Sequence, residues 1–138
     1  MKKKMLRNGI VAALGATMLA VGTTGIVSAN NHSDSGFEFN LSPFEGSSYS
    51  SARLKTDKSR SYARVTQIGK GEAHVWTVRA NGASINTGSY DLKQGQSVKI
   101  YNRAYEMYGR TNIMLGVHTA SINYVRIHVK GLWSPDSI

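Results

Sequence analysis

Apolar and polar residues alternate along several short stretches of the chain beyond residue 36. Phe37, Phe39 and Leu41 are separated by polar residues, and the same alternation recurs over residues 123–129. A period of two is typical of a β-strand that buries one face, whereas an amphipathic helix repeats its apolar residues every 3.6 positions. No segment after Ala29 shows a convincing helical repeat, so the pattern predicts an all-β domain.

Turn signals divide the alternating stretches into short strands. Residues 56–59, 69–71 and 81–82 contain the Gly, Asn, Asp and Ser residues that favour turns. Residues 102–110 are ambiguous and could hold a helical turn, and Gly131 indicates a β-bulge. Strands are predicted at residues 37–41, 52–55, 60–68, 74–78, 97–101, 111–117 and 123–129, with a short piece around Ile85. This spacing predicts an antiparallel β-sandwich of seven to eight strands.

The apolar face of each predicted strand supplies the core of the expected sandwich. All twelve aromatic residues follow residue 29, and aromatic rings bring a large buried area per residue. Trp133 is predicted to be buried and to hold the last strand in place, because chain ends fray unless they are packed. The predicted core comprises Phe37, Phe39, Leu41, Leu54, Val65, Ile68, Val75, Val98, Ile100, Ile113, Leu115, Val125, Ile127 and Val129.

Residues 1–29 have the three-part pattern of a secretory signal peptide. Four basic residues among the first seven precede a largely apolar stretch, and Ala29 ends a small-residue cleavage motif. We therefore expect cleavage after Ala29, secretion, a flexible arm over residues 30–36 and one β-sandwich domain over residues 37–138. A permanent transmembrane anchor is the alternative, since the apolar stretch could just span a bilayer. Its several glycines and threonines, and the lack of a following basic cluster, favour cleavage.

The predicted leader holds four of the 17 basic residues and none of the acidic ones. Residues 30–138 therefore carry 13 basic and eight acidic side chains, a net charge of +5. The chain has no cysteine, so it cannot use the disulfides that stabilise many small secreted domains. Apolar packing has to stabilise this basic domain.

The sequence lacks a recognisable motif for catalysis. It has no cysteine nucleophile and no Gly-x-Ser-x-Gly elbow. Asp57, Asp91 and Asp136 are predicted to be solvated in turns or on polar strand faces. The histidines lack the His-x-His spacing that places two ligands on one strand face, and Glu72 with His74 is a weak signal by itself. We expect no enzyme activity, no cofactor and no metal site, and an uncharacterised hydrolase is the third-ranked alternative.

Basic residues are concentrated in residues 53–64. This segment contains five basic residues and one acid, and it is predicted to form a hairpin. Its positive charge would suit an anionic partner such as wall teichoic acid or acidic lipid headgroups, and no specific nucleic acid is expected. The alternative is a charged edge that keeps the sheet from associating with other copies. The candidate contact residues are Arg53, Lys55, Lys58, Arg60, Tyr62 and Arg64.

A second basic and aromatic run follows later in the chain. Lys99, Tyr101, Arg103 and Tyr105 alternate with other residues, so a strand would place all four on one face. Such a face could stack sugars or bases. Runs of this kind are also common on ordinary sheets.

Four segments of the chain are distinctive: Phe-Glu-Phe-Asn-Leu-Ser-Pro at residues 37–43, residues 49–53, Gly-Lys-Gly at residues 69–71 before Trp76, and Val-Lys-Gly-Leu-Trp at residues 129–133. In these segments the chain resembles a family of small secreted proteins of Gram-positive bacteria that is known only as a domain of unknown function. The resemblance is spread over residues 30–138 and implies a Gram-positive origin. It brings no catalytic motif and therefore no functional residues.

The chain also resembles, less closely, the lactococcin-type secreted bacteriocins, which are cysteine-free β proteins rich in Gly, Tyr and Trp. Taken together, the sequence predicts a secreted, non-enzymatic binding protein that acts at or outside the cell envelope. A bacteriocin-like antimicrobial protein is the second hypothesis. The lack of a Leu-Pro-x-Thr-Gly tail favours release over covalent attachment to the wall.

Overall fold

The computed structural model describes residues 30–44 and 46–138, which fold into two antiparallel β-sheets around one core. The predicted signal peptide, with its cleavage after Ala29, lies outside the described residues. The elements, in chain order, are β1 (Ser35–Leu41), β2 (Ser48–Tyr49), β3 (Arg53–Lys55), β4 (Ser61–Ile68), β5 (Ala73–Arg79), β6 (Tyr90–Leu92), β7 (Ser97–Ile100), α1 (Ala104–Tyr108), β8 (Thr111–Thr119) and β9 (Ile127–Ser134).

The strands are divided between a four-stranded and a five-stranded sheet. The four-stranded sheet has the order β1-β9-β4-β7. The five-stranded sheet has the order β2-β8-β5-β6, and β3 also pairs with β8. This arrangement confirms the predicted all-β fold of two antiparallel sheets. The described residues form nine strands, and β2 and β6 were not predicted because two or three residues are too short to show alternation.

Most of the predicted core is buried between the sheets. Phe39, Ile68 and Val98 are partly buried and pack against this core. Leu54 was predicted to be buried but is only half-buried, because its strand directs it away from the opposite sheet. The predicted core residues that are buried are Phe37, Leu41, Val65, Val75, Ile100, Ile113, Leu115, Ile127 and Val129.

The last strand begins and ends later than the alternation predicts. Val125 was assigned to the core, but it is 58% exposed in a loop that precedes β9. This loop is not paired in a sheet. Its backbone is bonded to another loop instead, since the N–H of Phe44 donates to the carbonyl oxygen of Asn123 at 2.9 Å. The register between β9 and β4 shifts at Lys130 and Gly131, so the sheet is irregular where a bulge was predicted. The extra residue is Thr66 on β4, because β9 keeps an unbroken register with β1. Trp133 is 1% exposed, so its predicted role in packing is confirmed.

Two other predictions concern the ends of the domain and the ambiguous segment. Residues 102–110 do contain a short helix, α1, and no described helix is long and apolar enough to cross a membrane.

The N-terminal arm, residues 30–36, was predicted to be flexible, but its first residues are hydrogen-bonded to the rest of the domain. Asn30 Nδ2 donates to the carbonyl oxygen of Ser137 at 2.8 Å, and Asn31 Nδ2 donates to that of Leu54 at 2.9 Å. Its last two residues already belong to β1.

Candidate functional site

The basic segment at residues 53–64 is not a hairpin. β3 pairs with β8 in the five-stranded sheet, whereas β4 pairs with β9 and β7 in the four-stranded sheet. Residues 56–60 therefore cross from one sheet to the other. The six candidate residues are divided between two different environments, which corrects the single contact surface that the sequence predicted.

Arg53 and Lys55 share one face of β3, as their spacing predicts, but that face is directed inward. Arg53 pairs with Ile113 and Lys55 with Thr111 on β8. Ile113 and Thr111 are both buried on the inner side of the five-stranded sheet. Side chains directly opposite each other in an antiparallel pair lie on the same face. The prediction that Lys55 contacts a partner at the surface is wrong, because its side chain is 0% exposed.

Lys55 is neutralised inside the protein by Asp136. Its Nζ lies 2.7 Å from Oδ1 of Asp136 and also donates to the carbonyl oxygen of Ser59. Asp136 was predicted to be solvated, but it is fully buried. Its carboxylate accepts further hydrogen bonds from the backbone N–H of Asn31 at 2.8 Å and from Oγ1 of Thr56 at 2.5 Å. A buried ion pair of this kind needs such partners to offset its loss of hydration.

Arg53 connects the two sheets at one open side of the sandwich. Its Nη1 donates to the carbonyl oxygens of Ser33 at 2.7 Å and Trp133 at 3.2 Å, and its Nη2 donates to Oδ1 of Asn31 at 2.8 Å. Burial lowers the pKa of the Arg53 guanidinium, against the opposing effect of Asp34 and Asp136. With these hydrogen bonds committed, Arg53 acts as a clamp and not as a free surface charge.

A cavity of about 410 Å³ opens beside this clamp. It lies between the edge of β1 and the residues from Tyr49 to Arg53, and Trp133 contributes to its lining. The stacked rings of Phe37 and Phe39, whose centroids are 5.6 Å apart, form part of its wall.

The other candidates lie on the outer surface of the four-stranded sheet. Ser61, Ala63 and Val65 are buried, so Tyr62 and Arg64, which alternate with them, point outward from β4. Arg60 precedes β4, and its guanidinium carbon lies 5.8 Å from the centroid of the Tyr101 ring. Lys58 is exposed in the connection between the sheets.

The structure joins these residues to part of the second basic run. Tyr62 on β4 pairs with Lys99 on β7, so both side chains point outward together. Arg103 and Tyr105 leave this face, because the chain turns into α1 after Asn102. Lys130 of β9 also lies on it and was not proposed from the sequence, although it occupies the polar phase of its strand. We define the basic face as Arg60, Tyr62, Arg64, Lys99, Tyr101 and Lys130.

The basic face has little negative charge around it. Among the described strands of this sheet, Glu38 is the one acidic residue at an outward position. Its Oε2 lies 2.6 Å from Nε2 of His128. The hydrogen bond from His128 lowers the pKa of the Glu38 carboxyl, and the charge of Lys130 adds to this effect. Four cationic side chains therefore share the face with one paired carboxylate, and one of them, Lys99, also donates from Nζ to the backbone oxygen of Ile138 at 2.7 Å. Guanidinium groups suit carboxylate and phosphate oxygens because they donate two parallel hydrogen bonds.

The outer surface of the five-stranded sheet has a different character. Among the described residues, the outward positions of its strands hold no Lys or Arg. The strands of this sheet do contain three basic residues, Arg53, Lys55 and Arg79. Each occupies an inward position, because it pairs with Ile113 or Thr111, which are buried. The outward side chains are Tyr49, Leu54, His74, Trp76, Val78, Asp91, Asn112, Met114 and His118, with Gly116 among them.

His74 of the weak Glu72–His74 signal is paired with Asp91. Nδ1 of His74 donates to Oδ1 of Asp91 at 2.6 Å. Within residues 30–44 and 46–138, no three or more histidine, aspartate and glutamate side chains are grouped so that they could hold a metal ion.

A family model described as a protein of unknown function, DUF2712, matches residues 25–137. The chain belongs to this family. No curated protein and no solved structure matches it. The predicted membership of a family of unknown function is confirmed, whereas the likeness to lactococcin-type bacteriocins has no support.

The DUF2712 match includes every residue of the basic face and both sheets. The family description names no activity, so any role for these residues has to come from their chemistry. The surfaces that offer such chemistry are the basic face, the opposite outer surface and the cavity beside Arg53.

Proposed function

We propose that the domain is a secreted, non-enzymatic module that binds an anionic polymer of the cell envelope through the basic face. The observation that carries the proposal is the separation of charge between the two outer surfaces. One sheet displays Arg60, Arg64, Lys99 and Lys130 together, while the outward positions of the described strands in the other sheet hold no basic residue. A surface with several cations in one plane can contact successive phosphates of an extended chain.

The tyrosines of the basic face support contact with a polymer. The Arg60 guanidinium lies over the Tyr101 ring, an arrangement that holds the cation in place while leaving its edge free to donate. Tyr62 shares the outward face of β4 with Arg64, and Arg60 precedes it just before the strand begins. Export is supported by the basic and apolar pattern of residues 1–29.

Salt provides the first test, because exposed charges attract each other less as the Debye length falls from about 10 Å at 0.1 M to about 3 Å at 1 M. We expect the purified protein to bind immobilised glycerol-phosphate teichoic acid at 0.1 M salt and to be released at 1 M. Binding that is indifferent to salt would contradict the proposal.

Two variants of equal charge provide the second test. Replacing Arg60, Arg64, Lys99 and Lys130 by Gln should abolish binding to teichoic acid. The control replaces Lys70, Lys93, Arg110 and Arg126 by Gln, since these residues are also exposed but lie outside the basic face. It should retain most of the binding. Equal loss of binding in both variants would mean that net charge alone is responsible. Unchanged binding in the basic-face variant would contradict the proposal and would mean that these cations only keep the protein soluble.

The two lower-ranked hypotheses have direct tests of their own. Clearing of a lawn of related bacteria by the purified protein would favour the bacteriocin-like role. Turnover of a cell-wall substrate would favour the hydrolase. The expectation that the domain is not an enzyme stays a prediction.

A further inference from the structure

Aromatic rings are gathered on the outer surface of the five-stranded sheet, on the side of the sandwich opposite the basic face. His74 and Trp76 point outward from β5, His118 points outward from β8, and Tyr49 points outward from β2. The pairing registers place His74 opposite His118 and both Trp76 and Tyr49 beside Gly116. We call these four residues the aromatic strip.

The rings of the aromatic strip contact one another in a continuous row. The Tyr49 and Trp76 centroids are 6.1 Å apart and meet edge to face. Trp76 and His118 are 5.0 Å apart, and His118 stacks on His74 at 4.8 Å. Neighbouring rings therefore support each other across three strands of a regular sheet, so the row is held before any ligand arrives.

Gly116 brings the indole of Trp76 close to the sheet. A β-carbon at position 116 would lie 2.5 Å from Cε2 of Trp76, a distance that no real side chain tolerates. The ring therefore covers a backbone position that has no side chain of its own. The strip forms a low, broad surface in place of a projecting ridge, and Tyr49 remains 47% exposed at its end.

Polar groups border the rings on one side. Nδ1 of His74 donates to Asp91, and Nδ1 of His118 lies 2.6 Å from the carbonyl oxygen of Thr119 and donates to it. In a neutral imidazole with a proton on Nδ1, the other ring nitrogen is an acceptor. The Asp91 carboxylate is half exposed beside His74 and offers further acceptors. Hydroxyl donors of a ligand would find partners here.

The chemistry of the strip selects one class of ligand. A polyanion is disfavoured, because Asp91 is a carboxylate and the outward positions of the described strands in this sheet supply no cation to balance a ligand's charge. A wholly apolar ligand would leave the imidazole and carboxylate acceptors without donors. Neutral sugars combine an apolar face of C–H groups, which packs on an aromatic ring, with a rim of hydroxyls. We propose that the aromatic strip is a binding site for neutral pyranose chains.

The proposal is tested with two soluble probes, the β-1,4-linked hexasaccharides of N-acetylglucosamine and of glucose. Trp76 is expected to report binding through its fluorescence. The other tryptophan, Trp133, is buried but contributes to the lining of the cavity, so the change in emission has to disappear in Trp76→Phe, which retains Trp133. We expect a saturable change in emission with at least one probe and the same affinity by calorimetry. Absence of any saturable signal with both probes, from a protein shown to be folded, would overturn the proposal.

Matched variants locate the site. Tyr49→Ala removes an exposed ring from the aromatic strip, and we expect it to weaken sugar affinity by about tenfold. Tyr101→Ala removes a ring of similar exposure, 43%, from the opposite sheet and should leave sugar affinity unchanged. Trp76→Phe keeps an aromatic ring over Gly116, so the variant should stay folded. A weaker sugar affinity in this variant can then be attributed to the lost indole. Equal affinity in Tyr49→Ala and the unmodified protein would place the sugar elsewhere and overturn the assignment.

Two further outcomes distinguish a sugar site from the basic face and from a dimer interface. The variant with Gln at the four cations of the basic face should bind sugar normally, and Tyr49→Ala should bind teichoic acid normally, so failure of one proposal is distinguishable from failure of the other. If ultracentrifugation shows a dimer that Tyr49→Ala abolishes and that sugars do not compete with, the strip is an interface between copies. That result would also overturn the proposal.

Discussion

At the scale of single residues, the least expected feature is a lysine in the interior. Lys55 and Asp136 are 81 positions apart in the chain, yet both side chains are fully buried and joined at 2.7 Å. The pair draws in Asn31, which donates to the carboxylate through its backbone N–H, and Thr56 on the connection between the sheets. One buried carboxylate thus holds together the first described residues, the crossing segment and the C-terminal residues.

Removing one partner of this pair should be far more damaging than removing a nearby surface charge. We expect Lys55→Gln to lower the free energy of unfolding by about 3–5 kcal/mol, because it leaves the Asp136 carboxylate buried without its counter-charge. Lys58→Gln makes the same substitution three residues away at an exposed position, and its effect should stay within about 0.5 kcal/mol. Urea denaturation of both variants measures this difference, and equal midpoints would contradict the buried pair.

The Glu38–His128 pair on the surface gives a dependence on pH. The hydrogen bond from His128 lowers the pKa of Glu38 below its ordinary value of 4.5. A carboxyl with a lowered pKa contributes stability above its unfolded pKa, and the contribution is lost as pH falls through the lower folded value. Carboxyl NMR should show Glu38 titrating below 4.5, and His128→Ala should move the midpoint upward. Lys130→Gln should move it less, and an unchanged midpoint in His128→Ala would contradict the assignment.

At the scale of elements, β9 organises the four-stranded sheet, because it pairs with β1 on one side and β4 on the other. A bulge in β4 at Thr66 lies opposite β9 between Lys130 and Gly131, and Gly131 packs closely against both neighbouring strands. A β-carbon there would overlap the carbonyl oxygen of Arg64 and the ring of Phe37. The glycine thus permits the close packing of β9 against β1 and β4 beside this bulge.

Gly131→Ala should therefore destabilise the protein by about 1–3 kcal/mol, the usual cost of forcing extra volume into a packed region. Gly36→Ala is the matched control, since Gly36 lies on the neighbouring strand β1 and its nearest atom to a new β-carbon is 3.9 Å away. We expect Gly36→Ala to change the melting temperature little. Comparable melting temperatures for the two variants would contradict the close packing at the bulge.

At the scale of the whole molecule, the two sheets present two different outer chemistries. The basic face displays cations and tyrosines, and the aromatic strip on the other side displays rings bordered by acceptors. A sandwich separates its outer surfaces by the thickness of two sheets, roughly 10 Å between the sheet planes. Ligands of the two surfaces would therefore not compete for space, and we expect the domain to hold both at once.

Local patterns predicted a large part of this architecture. The alternation around Val65, Val75 and Val129 identified strands and their buried faces, because the period of side chains along a strand is set by the backbone itself. Gly131 indicated where the sheet is irregular, but the extra residue, Thr66, lies on the neighbouring strand β4. Alternation failed at Val125, where the same apolar spacing occurs in a loop whose backbone bonds to Phe44.

The residues of the candidate site were predicted less well than the fold, because a strand's own sequence does not show which of its two faces meets the opposite sheet. The period of two determines which residues of a strand share a face, and Arg53 with Lys55 obeyed it. The sequence by itself determined the antiparallel β fold, the core alternation and the concentration of charge. Only the tertiary structure decided which face of each strand meets the opposite sheet, because strand pairing is made between residues far apart in the chain. That pairing buried Lys55 and brought Lys99 beside Tyr62.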